Sequence, residues 1–222
     1  MGEMVYTIEM QQLIRFAALA LAALSATFAT PAVGQETAEG QSKADYLAWL
    51  SRDPGARAQV LSFKAYLDAA DVAGVVPTWQ LVRTASKWRE CGGPRFEVAP
   101  TSEWTHIAAT LGFVKAEVEP VIGRVEAVSG FRNEELNHCA GGAPASAHRH
   151  FYALDLVPTD ADLARGTLIR DVCRIHQDAG RRFDIGLGFY TGNRFHLDSK
   201  GFRRWGADGS GATSPCATGN YA

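Results

Sequence analysis

The chain has 222 residues, of which 46% are apolar and 21% are charged. This balance is ordinary for a globular protein, and the length suits one domain with a substantial core. The formal charge is −2 at pH 7, so there is no overall basic excess, and we expect no nucleic-acid partner.

Residues 1–34 have the pattern of a secretory signal peptide. Arg15 precedes a short apolar run over residues 16–28, and small residues follow up to Gly34. These are the three parts of a cleavable signal, so the sequence predicts a secreted or periplasmic protein. The run is short for a membrane span, although an N-terminal anchor is the alternative. We expect no stable membrane span after the signal is cleaved.

All four cysteines follow the predicted signal. An even number of cysteines in an exported chain predicts two disulfide bonds. Three pairings are possible, and of these we favour Cys91 with Cys139 and Cys173 with Cys216. The alternative is a cysteine-rich metal site, which is disfavoured because no two cysteines have the C-x₂-C spacing of such sites.

Helices are predicted in the first half of the chain. Residues 45–72 carry apolar side chains at helical spacing, and the Pro-Gly pair at residues 54–55 divides them into two helices. A third helix is predicted after Pro77, which suits a first helical turn. A fourth begins near Thr101, a capping residue, and runs to about Lys115.

The second half of the chain alternates short strands with helices. Strands are predicted at residues 124–128, 152–157, 185–190 and 195–198, with helices at residues 133–138 and from 159 to about 179. The residues after Gly206 are rich in Gly and Ser and are predicted to be loose unless Cys216 anchors them. Helices that precede and interrupt a small antiparallel sheet place the chain in the α+β class.

Two short segments carry residues that can ligate a metal ion. His148 lies at the entrance to one predicted strand and Asp155 lies on that strand, while His196 lies on another predicted strand. A catalytic zinc ion takes three protein ligands through nitrogen or oxygen and keeps one position open for water. The sequence therefore predicts a Zn²⁺ site made of His148, Asp155 and His196. Asp198 shares a strand face with His196, so it could orient that ligand or act as a base.

These segments belong to a longer series of motifs. The run SGFRNEELN is followed by GGA, by S-x-H-x-x-x-x-A-x-D and by H-x-D before RRW. This order resembles the M15 zinc peptidases over roughly residues 120–205. That family includes D-Ala-D-Ala carboxypeptidases and murein endopeptidases, and its fold is the hedgehog-like α+β fold. The resemblance implies the same three ligands. It also implies that Arg132 lies near the substrate and stabilises negative charge, and that Ser146 orders the loop at the substrate-binding side.

Two positions depart from the pattern of the family. Phe151 stands where a glycine is usual, and its side chain is expected to change the backbone or to fill part of the cleft. Asn193 stands where many members have an acid, and an amide cannot act as a general base. Asp198 is therefore the first candidate for the catalytic base and His150 the second.

The resemblance implies a zinc peptidase that cuts an amide bond in the stem peptides or cross-links of peptidoglycan, as a carboxypeptidase or an endopeptidase. In this interpretation residues 35–85 are a helical N-terminal segment, residues 86–222 are the zinc peptidase-like domain, and the protein is a monomer. The two departures keep a second hypothesis open, in which a zinc-containing module binds peptidoglycan peptides without cutting them. A zinc-free structural domain is the third hypothesis.

Overall fold

The computed structural model describes residues 39–221, so the predicted signal peptide lies outside the described residues. The described residues belong to one compact unit. The helices are α1 (Lys43–Arg52), α2 (Pro54–Ala69), α3 (Thr78–Leu81), α4 (Trp104–Phe113), α5 (Glu119–Ile122), α6 (Glu134–Cys139), α7 (Arg165–Ala179) and α8 (Pro215–Thr218). The strands are β1 (Val125–Ser129), β2 (Ala153–Pro158), β3 (Gly186–Phe189), β4 (Phe195–Asp198) and β5 (Arg203–Trp205). Two 3-10 turns (Thr101–Glu103 and Ala147–His150) and one π-helical turn (Val114–Val118) complete the helical elements.

The two N-terminal helices begin at residues that cap them. Ser42 caps α1 in a reciprocal arrangement with Asp45. Asp53 caps α2 by accepting a hydrogen bond from the backbone N–H of Ala56. Pro54 occupies the first turn of α2, where its missing N–H leaves no helical hydrogen bond unmade. The predicted break between the two helices is confirmed.

The helix predicted after Pro77 is shorter than expected. Only the four residues of α3 are helical, and Arg83 then pairs with Phe96 in an isolated bridge. Arg83 is 1% exposed, and its guanidinium donates to Glu126 Oε1 at 2.7 Å and to the carbonyl of Gln41 at 2.9 Å. These buried contacts connect the N-terminal segment to β1, and they outweigh the local preference for a helix.

The helix predicted to end near Lys115 continues through the π-helical turn and α5 to Ile122. Pro120 does not end it, because this residue lies in the first turn of α5. The left-handed Gly123 at its C-cap does end it, with φ 76°.

The five strands form one sheet in the order β1-β2-β4-β3-β5. The first four are antiparallel neighbours, and their register places Asp155 on β2 directly opposite His196 on β4. Strand β5 was not predicted, and it joins β3 in parallel. The α+β class is confirmed, because helices surround a small and mostly antiparallel sheet.

Both favoured disulfide bonds are confirmed, Cys91 with Cys139 and Cys173 with Cys216. The second bond joins α7 to α8, so the Gly- and Ser-rich tail is anchored at Cys216. None of the helices within residues 39–221 has the length and apolar character needed to cross a membrane. The division into segments 35–85 and 86–222 stays a prediction.

Candidate metal centre

Three buried side chains meet beside the middle of the sheet. His148 Nε2 lies 3.2 Å from Asp155 Oδ1 and 3.2 Å from His196 Nδ1, and the last two atoms are 3.1 Å apart. The most exposed of the three residues, His196, is 4% exposed. The structure therefore brings the three predicted ligands together in a group that could hold a metal ion.

Local structure holds each of the three side chains in place. Asp155 and His196 face each other because their strands pair in register. His148 lies in the 3-10 turn before β2, and Ser146 caps this turn by accepting a hydrogen bond from the backbone N–H of His148 at 3.3 Å. The ordering role predicted for Ser146 agrees with this contact.

Hydrogen bonds on the far side of the two imidazole rings determine which nitrogen faces the centre. His148 Nδ1 lies 2.7 Å from the carbonyl oxygen of Gly130, and His196 Nε2 lies 2.8 Å from Asp198 Oδ2. A ring nitrogen must carry a hydrogen to bond to these oxygens. In the neutral rings the opposite nitrogens therefore direct lone pairs toward Asp155, and a cation between the three atoms would relieve their mutual repulsion.

The spacing of the three atoms fits a small divalent ion. In a tetrahedral site with metal–ligand distances of about 2.0–2.1 Å, neighbouring ligand atoms are about 3.3–3.4 Å apart. The observed separations of 3.1–3.2 Å are close to this value. His148 and His196 also line a cavity of about 680 Å³, so the group is open on one side. Two imidazoles, one carboxylate and one open side are the arrangement of a catalytic zinc site.

Two arginines and a tyrosine surround the carboxylate of Asp155. Its Oδ2 accepts hydrogen bonds from Arg132 at 2.5 Å and from Arg194 at 2.6 Å, and its Oδ1 accepts from the Tyr190 hydroxyl at 2.9 Å. Burial alone would raise the pKa of Asp155, but His148 and Arg132 hold that pKa well below its usual range. The carboxylate is therefore ionised, which a metal ligand requires.

The two histidines differ in their affinity for protons. Burial, assisted by the charge of Arg132, lowers the pKa of His148 to about 4. Burial alone would lower the pKa of His196, but hydrogen bonds to Asp155 and Asp198 raise it above its usual value. His148 is therefore neutral at pH 7, and its Nε2, which lies 3.2 Å from a guanidinium nitrogen of Arg132, carries the lone pair that a metal ion would need. At a pH below the raised pKa of His196, a metal ion would displace a proton from that ring.

Asp198 lies behind His196, on the side away from the other two ligands. Its Oδ2 faces His196 Nε2 and accepts from Arg203 at 2.7 Å, while its Oδ1 accepts from the backbone of Lys200 and from Arg203, both at 2.9 Å. Burial would raise the pKa of Asp198, but His196 and Arg203 lower it to about 2. Of the two roles that the sequence leaves open for Asp198, the geometry favours the orientation of His196.

The part of the chain that carries this group matches a known family. The family model described as Peptidase M15 matches residues 109–198. This part of the chain is similar to the M15 peptidases. The matched residues include β1 to β4 and all three converging side chains. No match is found among curated proteins or among solved structures. M15 peptidases are typically metal-dependent, which agrees with the buried group of His148, Asp155 and His196.

Residues of the SGFR run make hydrogen bonds that position Arg132 and His148. Arg132 Nε donates to Ser129 Oγ at 3.0 Å, and the carbonyl of Gly130 holds His148 Nδ1. A Cβ atom on Gly130 would lie 2.7 Å from the carbonyl oxygen of Leu81, so the close backbone approach requires glycine. The run therefore places Arg132 in the wall of the cavity, next to Asp155.

Neither His150, the second candidate for the base, nor Asn193, at the usual position of an acid, lines the cavity. The side chain of His150 is half exposed and turns toward Glu103, with His150 Nδ1 3.4 Å from Glu103 Oε1. Asn193 donates through Nδ2 to the carbonyl of Leu163 at 3.4 Å. The structure thus does not bring His150 to the three converging ligands.

Phe151 keeps the backbone that a glycine would adopt. Its φ of 51° and ψ of 27° are left-handed, while its side chain is 1% exposed and packs against Phe63 and Phe131. This conformation costs about 1–2 kcal/mol in a non-glycine residue. Burial of a phenyl ring contributes about 1.5–3 kcal/mol, which offsets that cost. The side chain therefore fills the core and leaves the cleft open.

Tyr190 and Arg194 were not predicted as site residues. They flank the turn between β3 and β4 and line the cavity. A signal for Arg194 was present, because a residue two before His196 shares its strand face. Tyr190 carried no such signal. Burial and the nearby Asp155 raise the pKa of the Tyr190 hydroxyl, so it keeps its proton and remains a hydrogen-bond donor.

Trp205 forms another part of the cavity wall. The centroid of its ring lies 5.3 Å from that of His196 and 5.2 Å from that of Tyr190. A Cβ atom on Gly188 would lie 2.0 Å from the indole ring, so only glycine lets Trp205 pack over β3.

Proposed function

We propose that this protein is a zinc peptidase of the M15 type that hydrolyses an amide bond in the stem peptides or cross-links of peptidoglycan. The observation that carries the proposal is the convergence of His148, Asp155 and His196 at the wall of an open cavity, with a lone pair of each imidazole directed inward. The wall-peptide substrate is supported by the resemblance to carboxypeptidases and endopeptidases. An exported location is supported by the two disulfide bonds.

In this proposal His148, Asp155 and His196 hold the zinc ion. Bound zinc supplies Lewis acidity, which lowers the pKa of a coordinated water to about 7 and polarises a peptide carbonyl. Asp198 orients His196, and the ion pair of Arg203 with Asp198 keeps that carboxylate charged.

Arg132 and Tyr190 are the proposed donors to the reacting peptide. Both line the cavity, and both also contact the ligand Asp155. A cationic guanidinium and a protonated hydroxyl beside the metal can stabilise negative charge that develops on a carbonyl oxygen. Ser146 lines the same cavity and is proposed to contact the bound peptide.

A second candidate function is a zinc-containing module that binds wall peptides without cutting them. One observation favours it. Among the described residues that line the cavity, Asp208 is the only carboxylic acid, and it is engaged by the backbone N–H of Ser210 and by the hydroxyl of Thr213. No general base is therefore evident in the cavity wall described.

A digest of purified muropeptides distinguishes the two functions. Zinc-loaded protein, chelated protein and reloaded protein are incubated with the muropeptides, and products are identified by mass spectrometry. The proposal predicts cleavage that disappears on chelation and returns with zinc, and the product masses identify the bond. A His138→Ala variant, which changes an exposed histidine outside the cavity, is expected to cleave like the wild type. Binding without cleavage supports the module, and an absence of both rejects the proposed function.

A further inference from the structure

A second cavity, of about 650 Å³, lies between α7 and the C-terminal tail. Its lining residues include no aspartate or glutamate, and five of them are arginines: Arg170, Arg174, Arg181, Arg203 and Arg204. We call this cavity the arginine cleft. It shares only Arg203 with the lining of the metal cavity, and that guanidinium is bound to Asp198.

We propose that the arginine cleft binds a ligand that carries phosphate groups. The cleft stands apart from the proposed peptidase function, because none of the other four arginines touches the metal ligands. The net charge of −2 does not indicate this cluster of positive charge, because acidic residues elsewhere in the chain balance the arginines.

The positive charge of the arginine cleft is only weakly neutralised within residues 39–221. Arg170 and Arg174 share one carboxylate, Asp171, at 3.5 and 3.6 Å. Arg181 has no carboxylate partner among the described residues and lies over the ring of Phe202, with 4.5 Å from its guanidinium carbon to the ring centroid. Arg204 donates only to the carbonyl of Cys216, at 3.4 Å. Like charges that line one cavity repel one another, and a bound anion would reduce that repulsion.

The arginines are presented by a rigid support. Arg170 and Arg174 are four residues apart on α7 and so share a helix face. His176 stacks on Phe202 with ring centroids 4.6 Å apart, and Arg181 also lies over the Phe202 ring. The disulfide of Cys173 with Cys216 joins the two walls. The backbone that carries these exposed arginines is therefore held in place, so an anion has to order only their side chains.

The chemistry of the cleft favours phosphate over a single carboxylate. A guanidinium donates in a planar fork that matches two phosphate oxygens, and one phosphate can accept from two such forks. A phosphate monoester also carries close to two negative charges at pH 7, against one for a carboxylate. The volume of the cleft lies within the range of about 300–1,000 Å³ for small-molecule sites, which leaves room for two phosphate groups.

Calorimetric titration of the zinc-loaded protein with pyrophosphate tests the proposal, with sodium chloride at matched ionic strength as the reference. We expect saturable binding that an Arg174→Gln/Arg204→Gln double variant weakens at least tenfold. The control is Arg182→Gln, which removes an exposed arginine that pairs with Glu117 outside the cleft, and it should bind like the wild type. Cleavage of soluble muropeptides should be unchanged in both variants, so failure of this proposal and failure of the proposed function are separable.

Pyrophosphate could also bind at the metal, and the double variant reports on this. Equal affinity in the wild type and the double variant would place the binding elsewhere and overturn the proposal, as would the absence of binding above the chloride reference. Vesicles then identify the source of the phosphate. Co-sedimentation of the wild type, but not the double variant, with phosphatidylglycerol and not with phosphatidylcholine assigns the cleft to lipid headgroups. Pyrophosphate binding without co-sedimentation assigns it to soluble phosphate esters.

Discussion

The strands before residue 198 and the segment after it both surround His196, but they are held in different ways. Strands β1 to β4 are held by backbone register, which sets Asp155 opposite His196. The segment after Asp198 contains the three-residue β5 and the four-residue α8, and side-chain contacts add to the short backbone pairing of β5 with β3. Arg203 binds Asp198, Trp205 packs over Gly188, and Cys216 bonds to Cys173.

The two regions contribute different residues to the site. The region up to residue 198 carries the three proposed ligands, and the later segment carries residues that surround them. The family match ends at residue 198, so it includes the three converging side chains but neither Arg203 nor Trp205. Changes in the strands should therefore remove the metal or unfold the protein. Changes in the later segment should leave the metal bound and alter its affinity or the shape of the cavity.

The largest effect is expected for Asp155→Asn, in the strands. The change leaves the buried guanidinium of Arg132 and the partly buried guanidinium of Arg194 facing a neutral amide. Removing one partner of a buried ion pair costs about 3–5 kcal/mol of unfolding free energy, which urea denaturation of the metal-free protein measures. His148→Ala, which keeps these charge contacts, is the matched control and should lose less. Equal losses in the two variants would contradict the role of Asp155 as the charged centre.

The next effect concerns the tail, through the disulfide of Cys173 with Cys216. Replacing both cysteines by serine should lower the free energy of unfolding by about 2–4 kcal/mol. The bond of Cys91 with Cys139 spans 48 residues against 43, so its loss should cost a similar amount. Urea denaturation compares the two double variants. A loss below about 1 kcal/mol for the first would show that the tail holds its place without the bond.

A smaller effect is expected for Gly188→Ala, where β3 meets Trp205. The added methyl group must displace the indole ring, and such overpacking costs about 1–3 kcal/mol. Gly112→Ala in α4 is the control, because its Cβ would meet no atom within 4 Å and should be neutral or slightly stabilising. Thermal denaturation compares the stability of the two variants, and the tryptophan fluorescence emission spectrum reports the displacement of Trp205. An unchanged stability in Gly188→Ala would contradict the tight packing of Trp205.

Asp198→Asn distinguishes the two roles of that carboxylate. If Asp198 orients His196, the zinc affinity should fall about 10–100-fold, as measured by competition with a chelator. If Asp198 were the base, activity would fall while the zinc affinity stayed unchanged. We expect the first outcome, because Asp198 contacts His196 Nε2 and not the side of the ring that faces the other ligands.

The smallest effect is the pH dependence of the metal-free protein, since the two histidines act in opposite directions. The depressed pKa of His148 makes stability fall as the pH drops from 6.5, the usual value, toward about 4. The raised pKa of His196 adds stability below pH 6.5 that is lost as the pH rises through the raised value. A His148→Gln variant should remove the acid-side loss, which urea denaturation between pH 4 and 8 would detect. An unchanged pH profile in this variant would contradict the assignment.

The strands up to residue 198 could be predicted from the sequence better than the segment after it. The ligand set and its place on neighbouring strands could be predicted, because strand alternation and motif order are local properties of the sequence. Strand β5 could not, since Arg203 and Arg204 are exposed and the strand has no buried alternation. The helix after Pro77 was predicted, but it is shorter than expected, because Arg83 is drawn into buried long-range contacts.

The individual site residues show the same limit. Arg194 could have been found from its spacing to His196, whereas Tyr190 and the arginine cleft depend on how distant segments pack. The side chain of Phe151 packs in the core, and its position in the motif does not predict this orientation.

The most direct test of the metal centre is the zinc content of purified protein after loading and gel filtration. The wild type and His138→Ala should each retain about one zinc ion per chain, because the exposed His138 takes no part in the site. His148→Ala and His196→Ala should each retain far less than one, because two ligands cannot hold the ion against gel filtration. Full retention of zinc in either ligand variant would contradict the assignment of His148, Asp155 and His196 as the metal ligands.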